Sequence, residues 1–345
     1  MPNPGRSISS LQCSRSPAMH AVANDARPVR LGLNGGQIRS FGPATVAIIV
    51  LIAYFSFVNP LFLSTANAGN IGRQSAVLLM VALAETVVIL VGSIDLSIGA
   101  LVTVAGLVSA LAVDQVGAFG AILVGIAFGG LVGLANGIMI TALRVPSFLV
   151  TLGMLSILTG VGNQLSQGQS ILYDDQTLPN VVNGITVFGV PNIVWFAILL
   201  TILFTVVAFR TRLGRYLYAL GGGEMVAANA GVPVTFYKIL AFILCGATCG
   251  LAGVMLTGQV AAGTPAAGNS LLLNSIAAVV MGGTALSGGV GGPHRTFLGV
   301  LVIAILTNGM DVTQVDPFMQ DIVKGIVIIL AVALTIDRSK YAFIK

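Results

Sequence analysis

The sequence predicts an all-α fold: a polytopic bundle of about ten transmembrane helices with both termini in the cytoplasm. The first observation is composition, since 56% of the 345 residues are hydrophobic and only 8% are charged, against roughly 25% charged residues in a soluble domain. The second is a series of apolar runs of about 17–25 residues, the length that crosses a bilayer. The third is the 43 glycines, because small residues let helices approach closely in a membrane.

Ten apolar runs are the predicted spans. They lie at residues 44–60, 75–93, 97–113, 119–141, 147–165, 192–209, 239–258, 271–290, 296–310 and 322–336. The runs at 271–290 and 296–310 are rich in glycine or short. One of them is therefore a candidate for a broken or re-entrant helix, which is stable only where protein or a cavity covers its backbone.

The N-terminal segment differs in composition from the rest of the chain. It holds five arginines and one acid, and it is rich in Ser, Asn, Pro and Gly. We predict a flexible basic cytoplasmic tail at residues 1–43, followed by a transmembrane domain at residues 44–345. A targeting segment has a partly similar composition, Arg- and Ser-rich and poor in acids, and stays open as an alternative.

The distribution of charge predicts the orientation. With the N-terminal segment inside, all of the 16 basic residues except Arg73 and Lys324 fall on the cytoplasmic side, as the positive-inside rule requires. Most acids fall on the outer side. The net charge of +5 is therefore a topology signal, and we predict a lipid bilayer and no nucleic acid as partner.

Catalytic patterns are absent from the sequence. None of the four lysines follows a glycine, so the chain has no Walker A loop for a nucleotide. It has neither a His-Glu-x-x-His nor a nucleophile-elbow pattern, and only two histidines. We predict no catalytic residue, no metal and no cofactor bound by this chain. A polytopic protein without such chemistry most often moves a solute across the bilayer.

Four polar residues are candidates for a translocation pathway: Glu85, Asp95, Ser97 and Asn136. A carboxylate inside a membrane costs about 2.5–3.5 kcal/mol on insertion scales, so it usually faces a cavity or a partner. Asp95 has a second interpretation, as the cap of a helix that restarts near Leu96. Glu85 has one too, as a partner in an interhelical hydrogen bond. Both alternatives stay open.

The loop at 210–237 lies on the cytoplasmic side in this topology. A short helix is predicted between Gly223 and Gly231, with an acid in its first turn that favours the helix dipole. Such a helix suits a docking element, or else an amphipathic connector resting on the membrane. The candidate residues of this loop are Gly214, Arg215, Gly221, Gly222, Glu224, Ala227 and Gly231.

Four motifs together resemble the permease subunits of bacterial ABC importers for monosaccharides, of the ribose, xylose, arabinose and galactose type. They are Gly-Ser-Ile-Asp-Leu-Ser-Ile-Gly at 92–99, Asn-Gly at 136–137 with Arg-Val-Pro-Ser-Phe at 144–148, Gly-Arg-Tyr-Leu-Tyr-Ala-Leu-Gly-Gly at 214–222, and Ile-Ala-Ala-Val-Val-Met-Gly-Gly-Thr at 276–284. The resemblance covers about residues 45–337. The chain departs from the family pattern at Gly223 and at residues 226–228, 272–275 and 294–295.

The resemblance implies several partners and a location. These are a cytoplasmic ATPase that uses ATP, a periplasmic sugar-binding protein, and a second permease subunit in a homodimeric or pseudo-dimeric pore within the bacterial inner membrane. It also implies that residues 221–232 form a coupling helix that fits the ATPase. A proton- or ion-coupled secondary transporter that titrates Glu85 and Asp95 is the alternative, and a membrane scaffold or receptor is a third class.

Overall fold

The computed structural model describes residues 35–335, with side chains over residues 43–330, and its compact unit begins at Arg39. The described chain is helical, as expected for an all-α membrane protein. Its α-helices are α1 Gly35–Val58, α2 Thr65–Leu90, α3 Ile98–Ala142, α4 Ser147–Ser166, α5 Thr177–Asn183, α6 Asn192–Arg210, α7 Arg212–Gly222, α8 Glu224–Asn229, α9 Val234–Val260, α10 Asn269–Met281, α11 Pro293–Val312 and α12 Pro317–Thr335.

Four very short strands accompany the helices. Strand β1 (Ile171–Leu172) pairs antiparallel with β4 (Ala262–Gly263), and β2 (Ile185–Val187) pairs antiparallel with β3 (Val190–Pro191). Strands β1, β2 and β3 and helix α5 lie in the segment between the predicted spans 147–165 and 192–209 and give it a structure of its own. Leu178 and Val182 of α5 are fully buried, so this segment packs onto the bundle.

Within the described residues, six helices are long and apolar enough to cross a membrane: α2, α3, α4, α6, α9 and α11. Helix α3 has 45 residues, about 68 Å if straight at 1.5 Å per residue. It is not straight, because Gly117 has φ +70° and ψ 175°. The Ser109 hydroxyl donates to the Ala121 carbonyl at 3.4 Å, so the two halves fold back as a hairpin. The halves correspond to the predicted runs 97–113 and 119–141.

The predicted run at 271–290 is not one continuous helix. Helix α10 has 13 residues and ends at Met281, about 20 Å of helix against a hydrocarbon core of ~30 Å. A glycine-rich turn follows, in which Gly283, Gly288 and Gly289 have positive φ angles. The broken-helix alternative therefore describes this run, while the count of ten crossings stays a prediction.

The predicted tail at 1–43 lies mostly outside the described residues. Helix α1 begins within this tail, at Gly35, so residues 35–43 of the predicted tail are helical. The basic C-terminal residues 336–345 also lie outside the described part of the chain.

The core is built around α2 and α9. Every residue from 76 to 90 of α2 is buried, as expected of a helix that is apolar on all sides. Helix α9 packs against both halves of α3 through glycines. A Cβ at Gly246 would lie 2.1 Å from the Gly129 carbonyl oxygen, so the two backbones are in direct contact.

The helices place the loops at two ends of the bundle. The α2–α3 connection, the α3–α4 turn, α8 and the start of α9 line one cavity together; we call this the α8 end. The hairpin turn of α3 lies at the opposite end. There Asp114 accepts hydrogen bonds from the backbone N–H groups of Asp174 and Asp175, at 3.1 and 2.9 Å.

Candidate functional site

The four predicted pathway residues meet inside the bundle. Glu85 lies on α2, Asp95 and Ser97 on the α2–α3 connection, and Asn136 on the second half of α3. The Ser97 N–H and hydroxyl donate to Asp95 Oδ1 at 2.9 and 2.5 Å. Asn136 Nδ2 donates to Ser97 Oγ at 3.2 Å and to Asp95 Oδ2 at 3.5 Å. All four side chains are fully buried.

The α2–α3 connection explains this meeting. The chain turns at Gly92, where φ is +73°, and runs back along α2, so the Asp95 N–H reaches Glu85 Oε1 at 3.4 Å. Two hydroxyls of α4 accept hydrogen bonds from backbone N–H groups of this stretch, which have no helical partner. Ser147 accepts from the N–H of residue 94, and Thr151 from that of residue 96, at 3.2 and 3.0 Å. Such satisfaction is required of irregular backbone at membrane depth.

The cluster is rich in acceptors. Glu85 Oε2 and Asn136 Oδ1 have no hydrogen-bond partner within the described residues. The ion pairs of that same part of the chain, Lys238–Glu224 and Lys324–Asp321, lie elsewhere. Asp95 accepts from the N–H of Ser97, the residue before α3, and α3 begins at Ile98 rather than near residue 96. The Asp95 side chain makes no hydrogen bond to the first turn of α3 within the described residues. A role of the cluster in a translocation pathway stays a prediction.

The loop at 210–237 contains two helices rather than one. The predicted short helix is α8, which follows Gly223 and ends before Gly231, where φ is +82°. The sequence reasoning missed α7, which buries Leu217 and Leu220. Two features of the sequence could have predicted α7. Thr211 is a residue type that caps helices, and in the structure its side chain accepts from the Gly214 N–H. Apolar residues also follow it at helical spacing.

The candidate residues of this loop have different environments. Arg215, Gly222, Glu224 and Gly231 are exposed, and Ala227 is buried. A Cβ at Gly214 would lie 2.1 Å from the Ala208 carbonyl oxygen, so this glycine packs α7 onto the end of α6. The loop also exposes two apolar residues of α8 that the sequence reasoning had not selected: Met225 is 78% and Val226 is 74% exposed.

Gly221 lies at a junction of three segments. A Cβ there would lie 2.0 Å from the Leu90 carbonyl oxygen and 2.3 Å from the Gly289 nitrogen. The Gly289 N–H also donates to the Leu90 carbonyl at 3.1 Å. The end of α7, the end of α2 and the glycine-rich turn are thus held together. Gly221 serves this packing and is not itself a free docking surface.

Tyr218 adds a side-chain bond to the same junction, because its hydroxyl donates to the Gly291 carbonyl at 2.8 Å. Burial raises the pKa of Tyr218 to about 12, although the charge of Arg295 opposes the shift, so the phenol remains a donor at neutral pH. We expect Tyr218→Phe to lower the free energy of unfolding by about 0.5–1.5 kcal/mol. Thermal unfolding of the purified protein checks this, and an unchanged midpoint would show that the bond contributes nothing.

A cavity of about 910 Å³ opens at the α8 end. Its lining includes Arg144, Ser147, Glu224, Met225 and Lys238. Glu224 and Lys238 form an ion pair at 2.6 Å, which ties the start of α8 to α9. Helix α8 therefore borders the same cavity as the α2–α3 connection that carries the buried cluster.

Metal-binding side chains are not grouped in the described part of the chain, where no three His, Cys, Asp or Glu residues lie close enough to hold an ion. The arrangement contains a buried polar cluster, a cavity beside it and an exposed apolar helix. These features suit the passage of a solute and the docking of a partner.

Comparison with known proteins identifies the family. A model of the family described as "Branched-chain amino acid transport system / permease component" matches residues 67–332. Ribose import permease protein RbsC of Escherichia coli (strain K12) is 36% identical over 299 residues, which cover 86% of this chain and 92% of the relative. RbsC of Bacillus subtilis (strain 168) is 37% identical over 309 residues, 89% of this chain and 95% of the relative.

A third relative carries the name of a different sugar. The D-allose transport system permease protein AlsC of Escherichia coli (strain K12) is 34% identical over 315 residues, 90% of this chain and 95% of the relative. No solved structure matches the chain. The resemblance to sugar-importer permeases is thereby confirmed, and the chain belongs to the family of transport-system permease components whose model spans most of its length.

Proposed function

We propose that this chain is the membrane-spanning subunit of an ATP-driven importer for a monosaccharide in the bacterial inner membrane. Its relatives are named as ribose and D-allose permeases, which supports a sugar as the substrate class. In this proposal both termini are cytoplasmic and the α8 end faces the cytoplasm. The proposed count of ten crossings treats α3 as two and includes α1, α10 and α12.

The exposed apolar surface of α8 carries the proposal. A free Met225 and Val226 on a two-turn helix would be unfavourable in water unless a partner covers them. The helix does not hang loosely, because Ala227 is buried and the ion pair of Glu224 fixes its first turn. A rigid, exposed, apolar helix at the α8 end suits the docking of a cytoplasmic ATPase.

The other partners follow from the same proposal. A periplasmic binding protein delivers the sugar at the opposite end, and a second copy of this chain completes the membrane unit. The chain itself binds no cofactor, and the ATPase uses the ATP. When ATP binds to the ATPase, α8 would move. Because Gly221 packs against the end of α2, α2 would move with it, and the pathway would open to one side at a time.

Aspartate substitutions on α8 test the docking. We expect Met225→Asp and Val226→Asp each to weaken binding of the ATPase at least ~30-fold, the effect of losing an interface residue that contributes about 2 kcal/mol. The measurement is the affinity of the purified permease for an ATPase from its own organism. Import of the test sugars D-ribose and D-allose by the reconstituted complex should fall with it.

Phe188→Asp is the matched control. Phe188 is 91% exposed but lies in the β2–β3 turn at the opposite end, so this variant should bind the ATPase as the wild type does. All three side chains are exposed, so folding should be unaffected. Wild-type affinity in both α8 variants would overturn the docking role of α8.

A proton-coupled secondary transporter is the second candidate, and one observation favours it. Glu85 and Asp95 are buried side by side, and within the described residues neither forms an ion pair. Buried carboxyl groups of this kind act as proton relays in some transporters. In that case Glu85→Gln would abolish uptake while the protein still folds. The ATP-driven proposal expects the Glu85→Gln variant to keep its energy source.

A further inference from the structure

Helix α10 begins inside the bundle rather than at its surface. The segment that precedes α10 runs along the first half of α3. Gly263 of β4 packs beside Ala110, whereas Gly268 packs on Gly99 near the start of α3. The chain therefore descends along α3 over five residues. The Gly268 N–H donates to Thr103 Oγ1 at 2.9 Å. Irregular backbone at this depth is stable only where protein or a water-filled cavity covers it.

A cavity of about 230 Å³ lies beside this descending segment. It lies between the first half of α3, the second half of α4 and the start of α10. Its polar lining consists of Thr103, Thr159, Asn163 and Asn269, and Leu158 and Pro265 are among its apolar lining residues. The volume is below the ~300–1,000 Å³ of pockets for drug-sized molecules, so it suits a single small ring.

The polar groups of this cavity are available to a ligand. The carboxamides of Asn163 and Asn269 make no hydrogen bond with any other described residue, and both side chains are exposed. The hydroxyl of Thr159 donates to the carbonyl of residue 155 at 2.8 Å and keeps its acceptor sites. An asparagine side chain in a membrane helix costs too much to face lipid and usually faces a cavity.

The polar residues of α4 also indicate a water-accessible cavity. Its buried residues form one stripe, and Ser156, Thr159 and Asn163 lie on its exposed surface at helical spacing of three and four residues. A helix that faced only lipid would carry apolar residues there. The polar stripe leads along α4 to the cavity. It therefore marks a wetted path on a helix that is otherwise apolar.

We propose that this cavity is a binding subsite for one monosaccharide ring on its way across the membrane. The proposal rests on the proposed importer function and gives the sugar a place that differs from the buried Glu85–Asp95 cluster. A carboxamide both donates and accepts, so Asn163 and Asn269 would each pair with ring hydroxyls. Leu158 and Pro265 would contact the apolar faces of the ring.

Paired threonine variants give the sharpest test. Thr159→Val removes a hydroxyl that faces the cavity, and Thr201→Val removes one from α6, which does not line it. The two hydroxyls make the same local bond, each to the carbonyl four residues earlier at 2.8 Å. We expect Thr159→Val and Asn163→Leu each to lower ATP-driven import of D-ribose or D-allose about tenfold at limiting sugar, the effect of one lost hydrogen bond. Thr201→Val should import at the wild-type rate.

A labelling experiment separates this proposal from the importer function. Thr159→Cys and Thr201→Cys, each combined with Cys13→Ser, are exposed in membranes to a small water-soluble thiosulfonate reagent. The native Cys245 and Cys249 are buried. The expected result is rapid labelling at position 159 only, whether or not the complex imports these sugars.

Each outcome has a defined meaning. Wild-type import by both Thr159→Val and Asn163→Leu, or no labelling at position 159, overturns the subsite. Labelling of the Thr159→Cys variant, together with a wild-type complex that imports neither sugar with ATP, keeps a water-filled cavity but overturns the importer function and with it the sugar as ligand. Loss of import in the cavity variants, with labelling at 159 and a normal Thr201→Val, establishes the subsite.

Discussion

Replacing Asp95 by alanine should strongly destabilise the protein. The variant leaves the Ser97 N–H and hydroxyl without their acceptor, and the Asn136 amide keeps only its bond to Ser97 Oγ. Each buried donor left unpaired costs about 1–3 kcal/mol, against a total stability of roughly 5–15 kcal/mol for a folded protein. We expect the thermal unfolding midpoint in detergent to fall by at least ~5 °C. The yield of folded protein should fall with it.

Asp114→Ala is the matched control. Asp114 also accepts two backbone N–H groups, but it is exposed, so water can replace the lost carboxylate. Its midpoint should therefore stay close to that of the wild type. Asp95→Asn retains an oxygen for the Ser97 N–H and should fall between the two. Equal midpoints for Asp95→Ala and Asp114→Ala would contradict a structural role of the cluster.

A single methyl group at Gly246 should also be highly damaging. The added Cβ would lie 2.1 Å from the Gly129 carbonyl oxygen. A Cβ is fixed to its own backbone and the carbonyl oxygen is a backbone atom, so no side-chain rotation relieves the clash. Overpacking of a core costs about 1–3 kcal/mol even where side chains can adjust. We expect Gly246→Ala to lower the unfolding midpoint markedly because α9 must move away from α3.

Gly160→Ala adds the same methyl group where space is available. Gly160 lies on α4, and apart from the backbone of α4 itself no described atom stands within 4 Å of its added Cβ. Because alanine favours a helix over glycine by roughly 0.5–1 kcal/mol, this variant should be neutral or slightly more stable. If the two alanine variants unfold at the same temperature, the close contact of α3 with α9 is wrong.

Much of the fold could be predicted from the sequence because lipid imposes a simple rule. Uncharged apolar runs became helices, and even the hairpin of α3 had been separated into two runs. The interruption at Gly117 could not be predicted as such, because one glycine among 43 has no local signal for its φ. The early end of α10 was only an alternative, since 271–290 remains uncharged past Met281.

The candidate site was predicted unevenly. The buried cluster was found because Glu85 and Asp95 are rare residue types at membrane depth. The hydrogen bonds from the backbone N–H groups of residues 94 and 96 to Ser147 and Thr151 were missed, since hydroxyls in helices are common. Gly221 was selected as part of the coupling loop, but its structural contacts are with Leu90 and Gly289, which are distant in the sequence. Only tertiary structure distinguishes a glycine that packs from one that docks.

The energy source of transport tests the central proposal most directly. The permease is reconstituted in liposomes with an ATPase and a binding protein from its own organism, and accumulation of the two test sugars is measured. One set of liposomes receives ATP at the ATPase side without a proton gradient, and the other receives a proton gradient without ATP. We predict accumulation only with ATP, also in Glu85→Gln. Accumulation driven by the proton gradient alone, and lost in Glu85→Gln, would contradict the account.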